Sequence, residues 1–305
     1  MAYPNALRVE TRWSFKDGHV IDKQQTKEVA ESNHLQRSND VKVVKRLFTP
    51  ETLSPLRAIR NEANQFLRLH THPLDDKGGR LLPAALFAKF QAHSLKTQEK
   101  LDEAKAVLAR NYEDIIAEAA TRLNGMFRRE DYPSVEDLLD SYALRVVYTP
   151  ISDASDIRMG NLDEQARSEL EAHVEAHVTE QIAEAHRNNY ERLLDSISLL
   201  ASRLEVSMVN PTLGTDEFDP DADLVAAKSI FRDSTVEAVV DMLDVAEEMN
   251  FSNDQGFNAM VQRIRDSLVD VDMSPQALRK DIPNREKAKA QLESAVADIT
   301  ANLPL

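Results

Sequence analysis

"LDEQARSELEAHVEAHVTEQIAEAHRNNYERLLDSISLLASRLEV" (residues 162–206) runs without a proline or a glycine. Leu162, Ala166, Leu170, Val174, Val178, Ile182, Ala185, Leu193, Ile197, Leu200 and Leu204 recur at the three- and four-residue spacing of one helix face. Asn161 or Asp163 stands where an N-cap belongs. The stretch predicts one long helix, and it asks for a partner against which to bury its stripe. Residues 84–124 supply a second stripe, through Leu86, Phe90, Leu95, Leu101, Leu108, Ile115 and Leu123, with Gly125 as the stop. At 1.5 Å per residue each helix is about 60 Å long. Two such helices flanking a compact insert predict a long antiparallel helical hairpin, coiled-coil-like, that buries both stripes.

Around that hairpin the patterns change. Leu7, Val9, Thr11, Trp13 and Phe15 alternate with polar residues, and an Asp-Gly pair follows, which reads as strand, turn, strand. From Asp22 to Asp40 no period is visible and a loop is expected. "VKVVKRLF" (41–48) is a short apolar run; Thr49 and Pro50 then open a helix. "HTHPLDDKGGRLLP" (70–83) breaks the chain, "YPSVEDLLDSY" is a short helix, and "ALRVVYTPI" (143–151) is a strand that needs the N-terminal strands as neighbours. "NPTLGTDEFDPDAD" (210–223) is a linker, after which helices are expected near 222–249, 254–270, 274–280 and 284–302. The expected fold is mainly α: a small N-terminal α/β base (1–83 with 125–161), the hairpin (84–124 and 162–206) and a C-terminal helical region (207–305).

Net charge is −15, unevenly spread: residues 1–110 carry 19 basic against 13 acidic residues, the remainder 18 against 39. Such asymmetry fits two surfaces with different partners, or self-association. There is no cysteine, which excludes disulfides and thiol chemistry. No apolar run is long enough to span a bilayer and the N-terminus lacks a signal pattern, so a cytoplasmic protein is expected.

Few residues suggest chemistry. His173 and His177 are one helical turn apart and could share a metal ion, the basis of a metal-dependent hydrolase reading. Their H-x-E-x-H string is not the H-E-x-x-H of zinc proteases, His186 is too distant to join them, and a helix face is the plainer explanation. His70, His72, Asp75 and Asp76 cluster beside "GGR", with Arg80 closing the loop, as a metal or phosphate candidate. "DPDAD" (219–223) fails as a calcium loop, because Leu224 and Ile230 stand at the diagnostic positions. Arg12, Trp13, Lys42, Lys45 and Arg46 interleave cations with an aromatic ring, as single-stranded nucleic acid would require. No nucleophile motif is present and no cofactor is implied.

"LSPLRAIRNEANQFL", the turn "GGRLLP" and "KFQAHSLKTQEKLDEAKAVLARNYEDII" resemble a family of tailed-phage and bacterial proteins of unknown function, over about residues 1–205. Members are often encoded near a MoxR-type AAA+ ATPase and a protein with a von Willebrand factor A domain. The resemblance implies a partner of that kind, in the host cytoplasm if the gene is a phage's, and it implies no catalytic residues. The expected function is a non-catalytic helical interaction or adaptor protein. The alternative is a nucleic-acid-associated protein, handling single strands with its basic front or mimicking DNA with its acidic back.

Overall fold

A computed structural model describes residues 5–37, 40–151, 163–205, 208–209, 225–226 and 231–304. The chain is mostly helical with a small sheet formed by its N-terminal half. It divides into two compact units: residues 1–9, 69–87 and 149–305 form one, and 10–68 with 88–148 form the other.

The first unit is organised by helix α6, Glu164–Arg203. Its start is set by Asp163, whose Oδ1 accepts the Ala166 N–H at 2.8 Å, with Glu164 in the first turn and Arg203 in the last. The helix changes character along its length. From Glu164 to His177 no residue is buried; from Ala185 onward the stripe of Leu193, Ile197, Leu200 and Leu204 is almost fully enclosed. It packs against α7 (Asp233–Ala246) and α10 (Ile282–Ala301), with α8 (Gln255–Leu268) and α9 (Pro275–Lys280) completing the layer. Val239, Phe257, Met260, Leu292 and Ile299 fill the space between. Each such enclosed side chain is worth roughly 1.5–3 kcal/mol relative to exposure.

The four-stranded sheet has the order β4-β5-β1-β6, with β1 Ala6–Ser14, β4 His72–Pro73, β5 Arg80–Pro83 and β6 Ala143–Pro150. β1 pairs antiparallel with β5 from Ala6↔Pro83 to Val9↔Arg80. The β4–β5 turn is built by Asp75, whose Oδ1 accepts the N–H groups of Lys77 (2.9 Å) and Gly79 (2.8 Å). A Cβ at Gly79 would lie 2.2 Å from Asp75 Oδ2 and 2.6 Å from the Arg8 guanidinium, so a larger residue there would displace that ion pair.

The second unit packs α2 (Pro50–His70), α3 (Phe87–Arg110), α4 (Tyr112–Leu123) and α5 (Val135–Asp140) around Phe48, Leu53, Leu56, Leu101, Tyr112, Ile116, Tyr132 and Tyr142. A two-stranded ribbon, β2 (His19–Ile21) against β3 (Val44–Arg46), carries α1 (Lys23–Ser32). Beneath that ribbon Lys45 is buried. Its Nζ meets Asp22 Oδ2 at 3.2 Å, the Asp131 carboxylate, and the Met126 carbonyl at 3.1 Å. Burial alone disfavours the ammonium, but the two carboxylates outweigh it and its pKa is raised.

Several expectations are corrected. The predicted hairpin of 84–124 with 162–206 is not shown: the α6 stripe is spent on α7 and α10 in one unit, and Leu101, Leu108 and Ile116 are spent in the core of the other. Residues 84–124 are not one helix, because Asn111 leaves helical geometry (φ −97°, ψ 4°) where the Tyr112 ring turns inward and its hydroxyl donates to the Pro133 carbonyl. The stop belongs to Asn124, at φ 44°, rather than to Gly125. The expected loop after Asp22 contains α1, capped by the Asp22 side chain. The strands before and after the Asp-Gly pair join different sheets. The helix expected from 222 begins at Asp233, with the strand β8 (Val225–Ala226) paired to β7 (Met208–Val209) ahead of it. The linker 210–223 and its "DPDAD" lie outside the described residues.

Replacing Lys45 by alanine strands two carboxylates that its charge now neutralises. Lys45→Ala is expected to cost on the order of 3 kcal/mol in urea unfolding near neutral pH. A loss below about 0.5 kcal/mol, the size of an ordinary surface substitution, would show the triad to be solvated.

Candidate functional site

The first unit holds a buried polar network that gathers around the inward face of α6. His72, in β4, is fully enclosed; its Nε2 lies 3.2 Å from the Met249 carbonyl, so that nitrogen carries the proton. Asn189 Nδ2 donates to the same carbonyl at 3.1 Å. Arg192 reaches back to the carbonyls of Thr71 and Leu69 at 3.2 Å each, and Arg80 donates to Thr71 Oγ1 (2.5 Å) and to its carbonyl (2.9 Å). Burial first, and the Arg80 charge second, lower the Arg192 pKa to about 10, so its guanidinium stays protonated at neutral pH.

One turn earlier, His186, Tyr190 and Asp254 converge. Asp254 Oδ2 accepts the Tyr190 hydroxyl at 2.6 Å and faces His186 Nε2 at 3.0 Å. Its Oδ1 accepts the N–H groups of Gly256 (2.8 Å) and Phe257 (3.2 Å), capping α8. Burial and the neighbouring Asp254 raise the Tyr190 pKa, while the Asp254 carboxyl is held below its usual value by Tyr190, the two amides and His186 against the opposing effect of burial. A His-Asp-Tyr set suggests acid–base chemistry at first sight. Here the carboxylate already serves four partners, the tyrosine ring is packed edge-on against Phe257 at 4.9 Å, and the phenol is kept neutral. The arrangement ties α6 to the loop before α8.

The outward side of α6 is different. Arg8, Asp75, Asp76, Lys77, His177, Glu180 and Glu184 line an open cleft of about 750 Å³. Arg8 is neutralised by Asp75 at 2.9 Å, which leaves Lys77 against Asp76, Glu180 and Glu184. The cleft is open, and its charged side chains are mainly acidic. Along α6 from Glu164 to Glu184, six glutamates stand against one arginine, Arg167.

The predicted site residues are scattered by the structure. His173 and His177 are both exposed, and no group of three or more His, Asp or Glu side chains able to hold a metal ion occurs among the described residues. His70 and His72 are buried, whereas Asp75 and Asp76 point to the cleft, so the loop cluster does not converge. Of the basic set, Arg12 is ion-paired with Glu10 at 2.7 Å, Trp13 packs against the second unit's core, and Lys45 is sealed beneath the ribbon; Lys42 and Arg46 are exposed. Sequence reasoning misses His186, Tyr190 and Asp254. The spacing of His186 and Tyr190 puts them on one helix face, but only the tertiary fold brings Asp254 to it.

No helix among the described residues is long and apolar enough to cross a membrane. Compared with protein-family models, with curated proteins and with solved structures, the chain matches none.

Burial lowers the His72 pKa from 6.5 to about 4, helped by the charges of Arg192 and Arg80 and opposed by the bond to Met249. A group neutral in the fold and protonated in the unfolded chain gives stability that is complete above pH 6.5 and is lost as the pH falls toward 4. The wild-type chain should therefore lose on the order of 3 kcal/mol more than His72→Gln between pH 7 and pH 4 in denaturant titrations. Parallel pH profiles for the two proteins would contradict this.

Proposed function

We propose that this chain is a non-catalytic helical interaction protein, an adaptor that offers the acidic outer face of α6 to a basic surface of a protein partner. The observation that carries this reading is the contrast along α6. Its inward polar residues are committed to backbone carbonyls and to a helix cap, while from Glu164 to His177 no residue is buried and Glu164, Glu169 and Glu175 stand exposed. A stretch whose apolar residues Leu170 and Val174 are only half-buried gains little from packing, yet it continues the core helix without a break. Continuity with the core presents those carboxylates at fixed spacing, which favours electrostatic recognition and fast association over burial. The family resemblance suggests an AAA+ ATPase of the MoxR type as the partner. The nucleic-acid alternative is less well supported, since Arg12 is paired, Trp13 is packed and Lys45 is buried.

Binding of the purified chain to such an ATPase is expected to weaken about tenfold or more when Glu175, Glu180 and Glu184 are changed to Gln together with Asp76→Asn. It should also fall with ionic strength, as contacts between exposed charges do. Binding indifferent to the quadruple variant would contradict the proposal. Tight, steeply salt-dependent binding of a labelled single-stranded oligonucleotide would favour the nucleic-acid reading instead.

A further inference from the structure

In the second unit, α1 and the β2–β3 ribbon enclose a groove of about 560 Å³. Its apolar surface is left open. Ile21 and Val44 are directly opposed across the ribbon and are 49% and 51% exposed, and Leu35, at the far end of α1, is 40% exposed. The rim is basic: Lys23, Lys27 and Lys42 stand around it against Glu31, which is shared with Lys27 at 3.6 Å where both side chains are largely in water. An ion pair of that kind contributes little and yields readily to a better partner.

The groove is held in shape by its own backbone. Asp22 caps α1 through Gln25 and donates its N–H to the Val43 carbonyl at 2.9 Å, and Thr26 Oγ1 accepts the Val43 N–H at 3.0 Å. At the other end the Leu35 N–H bonds the Ala30 carbonyl at 2.9 Å and the His34 N–H bonds Glu31 at 3.1 Å, with His34 in the left-handed conformation at φ 52°. This double closure fixes where Leu35 leaves the helix. The exposed apolar side chains are thus set on a rigid frame, which lowers the entropy lost on binding.

We propose that this groove receives the outer face of α7 from a second copy of the chain. The complementary surface is present in the same molecule. α7 contains no lysine or arginine, and its outer face sets Val240, 39% exposed, among Glu237, Asp241 and Asp244. These four residues span about 10 Å of helix, within the roughly 15 Å length of the ten-residue α1. One apolar side chain framed by three carboxylates meets an apolar floor framed by three lysines. Donor and acceptor surfaces differ, so the contact is heterologous, and each copy offers one of each. Its small size makes it weak, concentration-dependent and sensitive to salt. The inference rests on the reading above that acidic helix faces are the binding surfaces, and it adds the site that takes one of them.

Sedimentation velocity over a concentration series, at ionic strengths of about 0.02 M and about 0.5 M, tests it. The wild-type mass should rise with concentration at low salt and return to the monomer at high salt. Lys23→Glu with Lys27→Glu, and separately Asp241→Lys with Asp244→Lys, should each weaken association about tenfold or more. Mixing the two reversed proteins should restore it, because their faces are complementary again. All four substitutions are at exposed positions and should leave thermal melting nearly unchanged, so loss of association is not loss of fold. A chain monomeric throughout the low-salt series, or association untouched by the lysine reversals, would overturn the proposal. Loss with the α7 variant alone, without rescue on mixing, would discard the groove and leave the acidic-face reading standing.

Discussion

The structure depends on what becomes of the apolar stripe of α6. Leu193, Ile197, Leu200 and Leu204 cannot be left in water, and α7, α8 and α10 are arranged so that Val239, Met260, Leu292 and Ile299 cover them. The polar residues on the flanks of that stripe then have to find partners out of water. Asn189 and His72 meet the Met249 carbonyl, Arg192 meets the carbonyls of Leu69 and Thr71, and Tyr190 meets the Asp254 cap. A buried donor without an acceptor costs about 1–3 kcal/mol, so each bond also specifies where the connecting loops run. The apolar stripe supplies the energy of this unit and the polar flanks supply its register.

The same helix continues beyond its core. Between Glu164 and His177 it keeps its hydrogen bonds but none of its residues is buried, and its composition changes accordingly, with Ala and Glu outnumbering the half-buried Leu170 and Val174. Those residues favour a helix without needing a partner. A rod anchored at one end and acidic at the other has the architecture of a binding element. The second unit presents the opposite combination, an apolar floor with lysines around it, built over the buried triad of Lys45, Asp22 and Asp131. The overall charge asymmetry is therefore realised as discrete surfaces on particular elements.

Much of this is legible in the residues. α6 can be read to within three residues at each end, because its period is unbroken and Asp163 caps it, and the last three C-terminal helices lie close to the ranges expected for them, whereas α7 begins eleven residues later than expected. The strands of residues 6–14 and 143–150 are also apparent, with their pairing in one sheet. Periodicity tells which face is buried and not against what, which is why α6 invites the wrong partner in residues 84–124. α1 is hidden because it buries little besides Ala30 and is held by Asp22 and Thr26 rather than by a stripe. The polar network is hidden for another reason: His72, Asn189 and Asp254 lie more than a hundred and eighty positions apart at the extremes, and only folding makes them neighbours. Lys45 misleads most, since a lysine beside Arg46 on a short strand reads as a surface cation and is a buried one here.

The division of α6 into an anchored half and an offered half can be measured directly by amide hydrogen exchange with mass spectrometric detection. Peptides covering 189–201 should exchange only through global unfolding, while those covering 166–177 should exchange through local opening, orders of magnitude faster. Equal protection along the whole helix would mean that the acidic half is as firmly packed as the core, and would contradict its role as a free binding face.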